Sequence, residues 1–566
     1  MKTRSNRTNN GYIGAYSLND RDNGILSNQK LYQQAILEQP EGVPDSYQPN
    51  QYNVVTGNYQ RPSEWLEMPE VLLGENKLCG IYAVYDDDSN WVAFTFYTNT
   101  GTYEVDWGDG TTSTVSSGSV AYKQYTRATY AALTTTVFRG YKTLAITVTP
   151  TNKGAYFTYI ELNTKHNQSG LASYYSNGWL DIKMSAPNLV NITVSNYIFS
   201  NQGRSSKLEQ FDFIGDNYID IFMFIGCTSL RKIVNFPSTL YTTQTYWASR
   251  FHTCHSLQEF PARMLDGLWR ATHTDYLFYY CFSLKEVPPL NTSNCTSMQG
   301  MFLACNKLKR IPYLDTSKAT NLNNIFNSCY ELEEVPYIDT SSCQNFSSAF
   351  TNCRSIRNWQ THFKGSSFTS LASTFANTKI LYGPTFDSTS NVTSFNSAFA
   401  GCQSLITVPQ YDYSAATDLR YMFRYCAALR NVPDLNTDSS LTNALQMFEF
   451  CSSLQYCPGI TLSNVTNATS MFANCFNMHF VPSINTSSIT TTTNMFFNCY
   501  SLSECGITGM AQTFSVSGCG MGATALNNLY TSLATVVGKT ITVTGNWGTA
   551  TDDPTIATGK GWTVTG

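Results

Sequence analysis

The side chains best suited to chemistry are few and scattered. The six histidines are His166, His252, His255, His273, His362 and His479. Only His252-x-x-His255 has a spacing that suits a metal, and a zinc site there would need further ligands from elsewhere. Asp106 and Asp109 form a close carboxylate pair inside Val105-Asp106-Trp107-Gly108-Asp109-Gly110-Thr111. Asp-Gly between two apolar runs is a hairpin signal, because both central residues tolerate positive φ, so these carboxylates read as turn residues; a single cation site there is left open. No phosphate loop, nucleophile elbow or repeated carboxylate pair occurs. Glycosidase chemistry needs two facing carboxylates, which distant parts of a chain could still assemble. The expectation is a protein that is not an enzyme and holds no cofactor or metal.

Most of the 17 cysteines share one phase, while Cys295, Cys343, Cys457 and Cys505 fall off it as singletons rather than Cys-x-x-Cys pairs. Phe278-x-x-Cys281-x-x-Leu284-x-x-Val287-Pro288 returns as Phe302, Cys305, Leu308, Ile311, Pro312 and as Phe326, Cys329, Leu332, Val335, Pro336. The Phe-x-x-Cys pair recurs at 350/353, 399/402, 423/426, 448/451, 472/475 and 496/499, with Phe375 and Thr378 filling one turn of the pattern and Phe224/Cys227 and Phe251/Cys254 lying upstream. That makes 12 copies, stepping 27 residues twice and then 24 or 25. A period in this range means a stack of small units whose neighbours complete each other's core. A cysteine at one fixed slot of every unit is a small buried apolar residue, so free thiols are expected, with the phenylalanines in a parallel ladder. The three-residue spacing of Phe302, Cys305 and Leu308 predicts a helix or 3₁₀ face, and Leu308 to Leu314 predicts a short strand interrupted by proline. Asp315-Thr316-Ser317 reads as a turn and helix cap.

This unit resembles the BspA-type leucine-rich repeat of bacterial surface proteins, mycoplasma lipoproteins and phage proteins. The resemblance implies a solenoid with a recognition role. Residues 76–160, with their Trp-Gly-Asp-Gly turn, resemble the polycystic kidney disease (PKD) domain, an immunoglobulin-like β-sandwich; Tyr122-x-x-Tyr125 and Leu144-x-Ile146-x-Val148 match its later strands. The expected fold class is α+β: a leucine-rich-repeat solenoid of about 12 repeats, preceded by a PKD-like sandwich and an extended N-terminal arm. The expected divisions are an arm at 1–75, the sandwich at 76–160, the solenoid at 161–510 and a capping repeat at 511–566. In the cap, Leu526, Leu529, Tyr530 and Leu533 fall on one helical face, Gly538 ends the helix, and strands follow at 539–544 and 559–564. The ending resembles the C-termini of phage fibre-type proteins that carry these repeats.

Charged residues make up 13% of the chain and the net charge is −4. Phosphate binding needs clustered Lys and Arg, so nucleic acid is not an expected partner. The segment from Met1 to Asn50 has no apolar run, so neither a signal peptide nor membrane insertion is expected. Together with unpaired thiols suited to cytoplasmic assembly, this leads to a phage virion structural protein, a tail fibre, head fibre or decoration protein. It would be assembled in the host cytoplasm and displayed on the virion surface. Residues 1–75 would dock on other virion proteins, and the solenoid would contact a host glycan or protein; homo-oligomerisation is left open. The alternative is a bacterial cell-surface leucine-rich-repeat adhesin, and a polysaccharide depolymerase is a third reading. The expected recognition face lies beside the strands, at Tyr313, Tyr337 and Tyr411 just after the prolines and at Lys309, Arg310, Glu333 and Glu334 before them. Tyrosine gives contact area at low entropic cost.

Overall fold

The computed structural model describes residues 59–566 except 89, 163, 165–177, 196–206, 357–359, 361 and 438–439. Up to residue 58 the expected anchoring arm lies outside the described residues, as does His166. The chain is a mostly β solenoid of about 14 turns with few helices, rather than an α+β protein. The turns beyond the 12 expected lie at the ends, where the Phe-x-x-Cys signature is missing.

Two sheets open the structure. Their strands are β1 (Lys77–Tyr85), β2 (Asn90–Thr98), β3 (Thr102–Asp106), β4 (Thr112–Ser116), β5 (Val120–Tyr125), β6 (Tyr141–Pro150), β7 (Phe157–Glu161), β8 (Trp179–Ser185), β9 (Asn191–Ser195), β10 (Gln210–Phe213), β11 (Ile221–Phe224) and β12 (Lys232–Ile233). One sheet runs β12-β10-β8-β1-β6-β3-β4 and the other β11-β9-β7-β2-β5. The N-terminal strands pair antiparallel, whereas β8-β10-β12 and β7-β9-β11 pair parallel. Both sheets therefore continue from sandwich into solenoid without a break, and one apolar core extends from Leu78 to Trp562.

Strand β1 is buried on both faces, which explains its unbroken run of small and apolar residues. Its inner face meets the core. Its outer face carries Ile81 and Ala83 under Trp65, together with Tyr141 and Leu180. The Trp65 indole N–H donates to the Tyr141 hydroxyl at 3.0 Å, and Arg61 Nε lies 2.6 Å from Asp181 Oδ2. The last part of the expected arm, residues 59–75, is thus a strap on the seven-stranded sheet.

The helical face expected in each repeat is absent. Take residues 274–281. Leu277, Tyr279 and Cys281 donate their N–H groups to the carbonyls three residues earlier, and the alternate donors Thr274, Tyr276, Phe278 and Tyr280 reach Ser297, Gln299, Met301 and Leu303 of the next coil. Tyr276 and Tyr280 hold φ of +58° and +60°, and left-handed residues recur at the same two places in coil after coil. A helix would turn every N–H along its own axis. Here half of them face the neighbouring coil, so overlapping turns tie one coil to the next. The three-residue periodicity was real, but turns with a left-handed third residue share it with a 3₁₀ helix. The strands expected after them mostly reduce to single parallel bridges, such as Arg310 to Glu334 and Tyr382 to Thr407.

The C-terminal cap has a helix at Ala523–Ser532 burying Leu526, Leu529 and Tyr530, with Leu533 also buried at its end. The helix stops before Gly538, whose φ of +67° serves the turn into the next strand instead. Phe514–Ser515, Lys539–Thr542 and Trp562–Thr565 form a three-stranded parallel sheet.

Candidate recognition face

The face is built by alternation. After each proline the first residue points out, the second in and the third out. Tyr313 and Tyr337 take the first position, with Leu314 and Ile338 buried behind them. The Thr316 hydroxyl donates to the Asp339 carbonyl at 2.8 Å, and the Thr340 hydroxyl donates to that of Lys364, which fixes the register of successive coils. His362 is bridged to Thr385 and Phe363 to Phe386. One outward file therefore runs Tyr313, Tyr337, His362, Thr385, Gln410. Beside it runs Asp315, Asp339, Lys364, Asp387, Asp412.

Tyr411 does not belong to this face. It stands second after Pro409, one place later than Tyr313 after Pro312, so the period of two turns it inward. Its ring stacks on Phe399 at 6.2 Å and its hydroxyl donates to the Pro384 carbonyl at 2.7 Å. Gln410 takes the outward place.

The two files meet in a polar network. In the neutral ring, His362 Nε2 donates to Asp387 Oδ1 at 2.8 Å and Nδ1 accepts from the Thr385 hydroxyl at 2.8 Å. The Gly365 N–H donates to the other Asp387 oxygen at 2.8 Å. That N–H, followed by His362 and Lys364, holds the Asp387 carboxyl below the usual carboxylate range. The Tyr337 hydroxyl beside Lys364, together with Asp339 and Asp387, pushes the Lys364 amine up. Burial, then Asp339, pushes the Tyr337 hydroxyl up. His362 and Asp387 remain 42% and 51% exposed, so this end of the network is open to a ligand and to water, whereas the hydroxyl oxygens of Tyr313 and Tyr337 are buried and offer ring area instead.

The charged residues before the prolines form two further files. Lys309 donates its N–H to Lys285 and Glu333 donates to Lys309, at 3.1 and 3.0 Å. Arg310 and Glu334 pair at 3.7 Å with half-exposed side chains, a geometry worth little stability.

The sequence missed His362 and Lys364 because their coil, that of Phe350 and Cys353, lacks the proline that marks the face elsewhere, and Thr385 and Asp387 because the Phe375 coil carries Thr378 in place of its cysteine. Counting the alternation outward from Phe363 and Phe386 was the available signal. Elsewhere, Lys123 Nζ lies 2.6 Å from Asp109 Oδ2, so a lysine ammonium occupies the place considered for a cation. His252 and His255 pack on Tyr279 and Phe282 at 4.6 and 4.7 Å. Among the described residues no three His, Cys, Asp or Glu side chains come together as metal ligands, and no helix is long and apolar enough to cross a membrane.

Fold and face together define a leucine-rich-repeat-like solenoid with a polar, tyrosine-bearing outer surface. A family model described as "Mycoplasma protein of unknown function" (DUF285) matches residues 272–385, 384–459 and 446–508. Among solved structures, a leucine-rich cell surface protein from Faecalibacterium prausnitzii A2-165 is 18% identical over 53% of this chain and 89% of that one, with a TM-score of 0.28. The TLR13–ssRNA13 complex is 11% identical over 65% and 69%, with a TM-score of 0.13. The plant peptide hormone receptor RGFR1 in complex with RGF2 is 11% identical over 70% and 90%, with a TM-score of 0.12. Superpositions this poor carry no argument. No curated protein matches the chain.

Proposed function

We propose that this protein is a non-catalytic recognition protein whose solenoid presents the file Tyr313, Tyr337, His362, Thr385 and Gln410, with the charged file beside it, to a surface glycan or protein. The observation that carries this reading is the open network joining Tyr337, Lys364, His362, Asp387 and Thr385. It offers donors, acceptors and aromatic area on a backbone fixed by coil-to-coil hydrogen bonds, and such preorganisation lowers the entropic cost of binding.

Of the two settings expected from the sequence, we favour the bacterial cell surface, with the protein as an adhesin; the match to a family model of mycoplasma proteins supports a bacterial protein over a virion one. The virion setting, with residues 1–75 as anchor and a PKD-like spacer, rests on sequence resemblance alone. The test is binding of purified protein to isolated cell envelopes. Tyr313→Ala with Tyr337→Ala, and separately Lys364→Ala, should weaken binding by about tenfold, the range of one or two lost polar or aromatic contacts. Circular dichroism would confirm that each variant is folded. Unchanged binding by folded variants would move the site elsewhere.

A further inference from the structure

On the turn side of the solenoid, the residue after each ladder cysteine forms a file of its own: His255, Phe282, Asn306, Tyr330, Arg354. Planar groups stack along it. His255 and Phe282 lie 4.7 Å apart at 22°, and the Arg354 guanidinium lies 5.3 Å from the Tyr330 ring centre. Between the two pairs the stack is interrupted for one coil, at Asn306. The core phenylalanines of the same three coils, Phe278, Phe302 and Phe326, step by 5.6 and 5.8 Å. The coils that carry Phe282 and Tyr330 are therefore two steps, about 11 Å, apart along the axis at the core. The Asn306 amide nitrogen donates to the Ser328 carbonyl at 2.8 Å and to that of Ala304 at 3.2 Å, which holds the amide against the backbone between them. Tyr330 is 40% exposed.

We infer that this interruption is a binding slot for one neutral pyranose unit of a glycan, with Phe282 and Tyr330 as walls and Asn306 as floor. A flat aromatic ring in contact with both walls at roughly 3.5–4 Å on each side would span about 7–8 Å and sit loosely. A chair-shaped ring is thicker. It turns C–H groups toward both aromatic faces, whose π clouds are negative, and it carries hydroxyls around its rim for the amide. The walls and floor carry no formal charge, which selects a neutral sugar over an anionic one. The slot shares no residue with the recognition face, so the two stand or fall separately.

The experiment is isothermal titration calorimetry of the full chain with neutral oligosaccharides: glucans of both anomeric types, mannan, galactan and N-acetylglucosamine oligomers. At least one should bind. Phe282→Ala and Tyr330→Ala should each weaken it by about tenfold, as loss of a stacking ring does. Asn306→Phe fills the gap with a ring and should abolish binding while far-UV circular dichroism shows the chain still folded, its midpoint lowered only by the two lost amide hydrogen bonds, which separates occupation of the slot from unfolding. Tyr313→Ala should leave this binding unchanged. The inference is overturned if none of these sugars binds at about 10 mM, a concentration that captures even weak sites. It is also overturned if Asn306→Phe binds as the unaltered chain does, or if a tyrosine-containing peptide occupies the slot in preference to sugar.

Discussion

Truncating one rung of the phenylalanine stack measures what holds the coils together. Twelve rings, from Phe224 to Phe496, stack in steps of 5.3–6.1 Å at 5–26°, an array about 60 Å long, its steps somewhat wider than the roughly 4.8 Å between paired strands. Phe326 is fully buried, with Phe302 at 5.8 Å on one side and Phe350 at 5.7 Å on the other. Phe326→Ala should cost about 3–5 kcal/mol. The upper end is expected, because the cavity cannot collapse. The Phe302 N–H bonds to the Ile325 carbonyl and the Phe326 N–H to that of Ala349, both at 3.0 Å, and they keep the coils at their spacing. Phe326→Leu leaves most of the volume in place and should cost about 1.5 kcal/mol. Urea unfolding followed by far-UV circular dichroism gives both numbers. Stability in a stacked array is a sum of unit and neighbour terms, so the alanine variant should also raise hydrogen exchange in the 302, 326 and 350 coils before the ends. A loss below about 1 kcal/mol with an unchanged denaturant slope would refute the claim that the stack carries the core.

Two further outcomes follow from the same geometry. All 17 cysteines are buried and free, and burial pushes thiols along the ladder up, that of Cys402 to about 11. At pH 8 the folded protein should react with almost no thiol reagent, and denaturation without reductant should release close to all 17; recovery of only a few would reveal disulfides. Asp387 is held below its ordinary range by the Gly365 N–H and His362, so its contribution is present above the unfolded value of about 3.9 and is lost as pH falls through the lower folded value. Asp387→Asn should therefore be slightly less stable than the unaltered chain near pH 6 and equal to it at the acid end. A difference that persists at the acid end would show that the loss is not electrostatic.

What was legible in the sequence is what repeats. Phe302, Cys305 and Leu308 announced a stack, its period and its buried side, and all three are fully buried. What was not legible depends on where backbone donors point. Tyr276 and Ser328 do not mark a left-handed residue, since neither is the glycine or asparagine that usually betrays one; Gly300, Asn324, Asn352, Asn377 and Gly401 in the same places were the available signal. The three tyrosines expected on one face differ in phase. Tyr313 and Tyr337 kept the phase of their prolines. Tyr411 stands second rather than first after its proline in a coil of the same spacing, and one place along an extended segment exchanges the faces. The partnership of Trp65 with Tyr141 joins residues far apart in sequence, with no periodicity to reveal it.

The Phe-x-x-Cys pair is one device rather than two adjacent core residues. A buried carbonyl has two lone pairs to satisfy. The Phe302 carbonyl accepts the Cys305 N–H of its own coil at 3.0 Å and the Cys329 thiol of the next at 3.1 Å. The same pairing runs from the Phe224 carbonyl with Cys254 to the Phe472 carbonyl with Cys499. Each cysteine therefore closes its own turn through its backbone and clamps the preceding coil through its side chain. Thr378 shows why sulfur suits the slot. Its hydroxyl, on a shorter bond, bends back to the Phe375 carbonyl of its own coil at 2.7 Å instead of reaching Phe350. The next coil keeps its ordinary link, the Cys402 thiol lying 3.0 Å from that same Phe375 carbonyl, and adds a contact of 3.3 Å to the Thr378 oxygen. A hydroxyl in the slot thus keeps the turn but gives up one link between coils. A weak donor with longer reach is what a stack of turns, lacking continuous strands, uses to hold its register.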